Sequence, residues 1–133
     1  MYDDMEIEEA RKEIENSIEL IDYTLEKIKS AKDWGLLDII GGEGLSSFIK
    51  RKRIKEINEN MKRLEKQLVI TKKELEDVEE ELSYRIPDSF TNRLFDIFLD
   101  NIFTDINTQN KLKTAEKNLI GLKNKLEEIL HEL

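Results

Sequence analysis

At 133 residues the chain has room for one domain with a modest core. Hydrophobic residues make up 38% and charged residues 39%, with one proline and a net charge of −8; that composition indicates long helices or a coiled coil rather than disorder. The absence of cysteine rules out disulfides and thiol chemistry.

The first element is expected over residues 4–32. Ile7, Ile14, Ile21 and Ile28 recur every seven residues, and Ala10, Ser17, Thr24 and Ala31 follow each by three. Ile18 and Leu25 widen the stripe. This is the signature of an amphipathic helix, and its small-residue column invites close approach by a neighbour. The opening residues carry no basic and apolar leader pattern. No apolar run approaches the ~18 residues of a membrane span. A soluble, cytoplasmic protein without membrane insertion is the expectation.

Residues 33–45 are too apolar for a solvated loop. Trp34, Leu37 and Ile40, with Leu45 and Phe48 beyond the glycines, are expected to form a hydrophobic cap closing one end of the bundle, packed near Leu126–Leu130. Gly41 and Gly42 supply the positive φ that would stop a short helical turn there.

The second long helix is expected over 46–84, capped by Ser46 or Ser47. Ile54, Ile57, Met61, Leu64, Leu68, Thr71, Leu75, Val78 and Leu82 alternate steps of three and four. Pro87 should end it, because the residue before a proline avoids helical geometry.

A third helix is expected over 88–132, with a bend or break conceivable at the polar 107–110 stretch. Leu112, Ala115, Leu119, Leu122, Leu126, Ile129 and Leu133 continue the heptad. Its first half holds Phe90, Leu94, Phe95, Ile97, Phe98, Leu99, Ile102, Phe103 and Ile106, an apolar surplus covering about two-thirds of the helix circumference at 100° per residue. A bundle helix needs a stripe of little more than ~100°. The surplus is expected to be an oligomer interface, a homodimer first, with an unidentified protein partner as the other option and wrapping by the chain's own neighbours as the bland one. Together the elements predict an all-α fold: three long helices in an antiparallel, up-down-up, coiled-coil-like bundle.

Chemistry is sparsely represented. His131 is the only histidine, and Glu128 with His131 has the E-x-x-H spacing of di-iron bundles. The heptad turns both outward, and the second such pair is missing. No catalytic set, metal or cofactor is expected. The one alternative lies at the start of the second helix. Gly41, Gly42 and Gly44, the amides and hydroxyls of Ser46 and Ser47, and Lys50, Arg51, Arg53 and Lys55 would together make an anion site for a phosphate-bearing ligand. Residues 50–73 carry ten Lys/Arg against three Glu. Overall acidity opposes broad nucleic-acid binding, and neutralisation by acidic neighbours or by a second subunit is the simpler reading of the cations.

The same stretch carries a resemblance. Trp34, Gly35, Asp38, Gly41, Gly42, Ser46 and Lys50 fit the W-G-x-x-D-x-x-G-G-G-x-x-S-x-x-x-K segment of uncharacterised bacterial helical-hairpin proteins, which this chain resembles over about residues 31–55. Glu43 stands where a third glycine is common, and Arg51 where histidine follows the lysine. The resemblance implies a helical fold and carries no activity. The favoured function is accordingly a non-enzymatic interaction or scaffold protein that self-associates.

Overall fold

The computed structural model describes residues 4–33, 45–82, 106–107 and 109–133. All of these are helical except Ile106, Asn107 and Leu133. Helix α1 spans Asp4–Asp33, α2 Leu45–Leu82 and α3 Gln109–Glu132. The all-α bundle expected from the heptads is the observed fold. Helix α2 has 38 residues, roughly 57 Å at 1.5 Å per residue.

The core consists of the seven-residue columns. Ile14, Ile21, Ile28, Leu64, Leu68, Val78, Leu112, Leu119, Leu122 and Leu126 are all fully buried, and so are the small residues Ala10 and Ser17. Ile7, Ile54 and Leu133, at the stripe ends, are half-buried and pack against this core. Burying each branched side chain stabilises the fold by about 1.5–3 kcal/mol before conformational entropy is counted.

Two polar side chains sit inside the α1–α2 seam and fix its register. The hydroxyls of Ser17 and Thr71, both fully buried, lie 2.8 Å apart. Thr71 also has the carbonyls of Gln67 at 3.0 Å and Glu13 at 3.1 Å within donor reach, so it can donate to a carbonyl while accepting from Ser17. Gln67 Nε2 donates to the Glu13 carboxylate at 2.6 Å. Nearer the other end, Arg53 donates to Ser30 Oγ at 3.0 Å. As the α1 residue numbers rise, those of their α2 partners fall, so the two helices are antiparallel.

Helix α3 also packs on α1. Lys32 Nζ meets Glu116 at 2.8 Å and Lys123 Nζ meets Asp22 at 2.7 Å. The same inversion of numbers makes α3 antiparallel to α1, and therefore parallel to α2. The direction differs from an up-down-up order: the described helices run up, down, down. The reason is local. The expected single helix over 88–132 is not continuous: Ile106 and Asn107 are not helical, and α3 starts afresh at Gln109. Gly121 lies within α3 without interrupting it.

The interruption is fastened to α2. Asn58 Oδ1 accepts from the Ile106 amide at 2.9 Å, and its Nδ2 donates to the Ile106 carbonyl at 3.3 Å. Ile106 is 2% exposed, and buried backbone groups outside a helix need such partners. The described end of α1 lies beside Glu116 of α3; the expected cap and its packing near Leu126–Leu130 lie outside the described residues. Ser46 and Ser47 lie within the first turn of α2, which begins at Leu45, rather than ahead of it.

Two expected outcomes follow from the polar contacts. Ser17→Ala and Thr71→Val should each destabilise by ~1 kcal/mol or more, because a buried hydroxyl loses its partner, whereas the double variant should cost less than the sum. Urea melts of the four proteins measure that coupling, and strict additivity would contradict the shared hydrogen bond. Asn58→Ala should cost ~1–3 kcal/mol and speed hydrogen exchange at the Ile106 amide more than at Ile21 or Leu68; equal effects at all three would argue against a local fastening.

Candidate functional site

The anion-site residues are partly described. Gly41, Gly42 and Gly44 lie outside the described residues, as do Trp34, Leu37 and Ile40 of the expected cap. Leu45, Ser46, Ser47, Phe48 and Lys50 fall in the first two turns of α2. The expected interface residues Phe90, Phe95, Phe98, Leu99, Ile102 and Phe103 also lie outside. Their neighbour Ile106 is described, and it is buried in the chain's own core rather than offered to a partner.

The cations separate into two groups. Arg53 is half-buried and donates to Ser30 on α1, so it belongs to the seam. Arg51 and Lys55 are exposed. They begin a row that continues along α2. At 100° per residue, Arg51, Lys55, Lys62, Lys66 and Lys73 fall within about 60° of one another on the α2 surface, on the side away from Leu64, Leu68 and Leu75. All five are exposed, and Lys52 and Arg63 lie exposed beside them. The row runs for 22 residues, roughly 33 Å. None of these seven cations forms an ion pair with another described residue. The 4-7-4-7 spacing is readable in the sequence; that none of these cations pairs with a described carboxylate is not.

Val69 and Ile70 interrupt the row as apolar residues, 55% and 48% exposed. With Lys62, Glu65 and Lys66 they line a shallow depression on α2.

Helix α1 carries the opposite charge on its outer side. Glu8, Glu15, Glu19, Asp22 and Glu26 are exposed and share one face, again within about 60°. Among the described residues only Asp22 of these five is in an ion pair, with Lys123; that hydrogen bond raises the Lys123 ammonium above its usual range despite a desolvation cost. Further acidity gathers where the start of α1 meets the end of α2. Glu74 is pushed above the usual carboxylate range, first by burial and then by Glu9, Asp77 and Glu13, with Lys73 opposing.

Glu128 and His131 are both exposed on the outside of α3, with Lys125 3.5 Å from Glu128. No group of three or more His, Asp or Glu side chains placed to hold a metal occurs among the described residues. No helix among them is long and apolar enough to cross a membrane. No protein-family model, curated protein or solved structure matches the chain.

The raised Glu74 gives a signed prediction. A carboxyl whose folded-state pKa exceeds its unfolded value favours folding when protonated, so its contribution is present at acid pH and lost as pH rises through the folded value. Glu74→Gln should therefore stabilise the protein at pH 7 by a few tenths of a kcal/mol, the size of a like-charge helix pair. The gain should vanish as pH falls through the ordinary carboxylate range. Melting temperatures across that range check it, and a gain independent of pH would reject the electrostatic cause.

Proposed function

We propose that the chain is a non-enzymatic interaction or scaffold protein that acts as a homo-oligomer, a dimer first. The observation that carries this reading is the row of seven exposed cations on α2, none in an ion pair with another described residue, in a chain whose net charge is −8. Surplus acid elsewhere in the same molecule makes a second copy the natural source of compensation. The described interior supports the non-enzymatic side. Its hydroxyls serve helix packing: Ser17 pairs with Thr71, and Thr24 donates back to the Leu20 carbonyl at 2.8 Å.

A second reading is favoured by one specific feature, the exposed Arg51, Lys52 and Lys55 in the first turns of α2 just past the glycines. In that reading Gly41, Gly42, Gly44, Ser46 and Ser47 supply amides and hydroxyls, and Lys50, Arg51, Arg53 and Lys55 supply charge, to a phosphate-bearing ligand or nucleic acid.

Light scattering at tens of micromolar protein separates the two. Self-association predicts a mass near twice the 15.7 kDa of the chain. A strictly monomeric mass, with polyphosphate binding that disappears in the Lys50→Gln, Arg51→Gln, Arg53→Gln variant, would replace it with the anion-binding reading.

A further inference from the structure

The acidic and basic rows are matched in position as well as in sign. Ser30 beside Arg53, Lys27 beside Glu56 and the Glu13 carbonyl beside Thr71 fix which residues of α1 and α2 share a level along the bundle. On that scale Glu8 lies level with Lys73, Glu15 with Lys66, Glu19 with Lys62 and Glu26 with Lys55, each to within about one helical turn. The steps from Glu8 up to Glu26 are seven, four and seven, and so are those from Lys73 down to Lys55. Within one molecule these side chains point outward from different helices and form no ion pairs with one another.

Resting on the self-association reading above, we propose that two copies pair through these faces, with α1 of one protomer lying antiparallel against α2 of the other. A two-fold axis parallel to the helices brings this about. It preserves level and direction, so each α1 meets an α2 running the opposite way, and the pairing occurs twice in one closed interface. Glu8, Glu15, Glu19 and Glu26 then face Lys73, Lys66, Lys62 and Lys55 of the partner subunit, while Val69 and Ile70 add apolar area in the middle of the basic row.

A nucleic acid fits the same surface less well. Packed helix axes lie 8–10 Å apart, about one Debye length at physiological salt. A polyanion on α2 would therefore feel Glu8, Glu15, Glu19 and Glu26 on the neighbouring helix, none of them in an ion pair with another described residue. A second copy places those carboxylates against cations. Individual exposed ion pairs contribute little, so the interface depends on their number and should be salt-sensitive.

Sedimentation of the full chain and two charge-reversed variants provides the test, with circular dichroism confirming that each remains helical. One variant carries Lys62→Glu, Lys66→Glu and Lys73→Glu; the other carries Glu8→Lys, Glu15→Lys and Glu19→Lys. The wild-type dimer should weaken ~10-fold or more between about 50 mM and 500 mM salt. Each variant alone should be monomeric, and an equimolar mixture of the two should restore a dimer, because both facing pairs are again opposite in sign. A wild-type dimer indifferent to salt, persisting in both variants, would overturn this interface while leaving self-association through another surface intact. A wild-type chain monomeric at every concentration would remove both. Salt-sensitive binding of a DNA duplex by a monomeric wild type, lost in the Lys→Glu variant, would instead make the basic row a phosphate surface and overturn the proposal.

Discussion

The α1–α2 seam, pinned by the buried Ser17–Thr71 hydroxyl pair, is the constraint from which the rest of the structure is built. Apolar heptads alone permit neighbouring helices to slide by a whole repeat with little change in burial. Two hydroxyls that must meet inside the seam remove that freedom, since a slipped register would leave both desolvated and unpaired. Gln67, reaching from α2 to Glu13 on α1, reinforces the choice one turn away. Once this register is set, the levels of every outward-facing residue on the two helices are set with it.

Helix α1 is also the element that the other two share. Helices α2 and α3 each pack on it, while no Cα atoms of α2 and α3 come within 8 Å of each other. Its small residues Ala10, Ser17, Thr24 and Ala31, all buried, allow the close approach that a helix with two described neighbours requires. The ion pairs of Lys32 with Glu116 and Asp22 with Lys123 then orient α3 along the rim of that core. Asn58 joins the chain just before α3 to α2. Buried periodicity thus produces the bundle, and a few polar contacts determine how its parts are aligned.

The sequence announced the buried faces and left their alignment open, for physical reasons. Period-seven spacing identifies Ile14, Leu68 or Leu119 as interior, because only one face of a helix can be covered. The same stripe reads identically for a helix running up or down, so the direction of α3 was not legible. The turn that sets it rests on Asn58, a residue off the heptad whose bond to Ile106 leaves no local pattern. The break itself showed only as the polar 107–110 stretch. Of the candidate site, the concentration of cations was plain in the sequence. Their arrangement as a row with no ion pair among the described residues, and its level match to the acidic row of α1, needed the register of the seam. The cap around Trp34 and the surplus from Phe90 to Phe103 fall outside the described residues, so those expectations stand as the sequence states them.

The account is tested most directly by two distances in one labelled protein. With no native cysteine, spin labels can be placed singly on exposed positions. Lys117 on α3 is taken as the reference, with Lys29 and Glu8 as the two sites on α1. An α3 antiparallel to α1 places Lys117 close to Lys29 and separates it from Glu8 by roughly 30 Å of helix rise. Pulsed dipolar spectroscopy at low protein concentration, diluted with unlabelled chain, should give a short Lys29–Lys117 distance and a long Glu8–Lys117 distance. The reverse order would mean that α3 runs parallel to α1, and the alignment described above would be wrong.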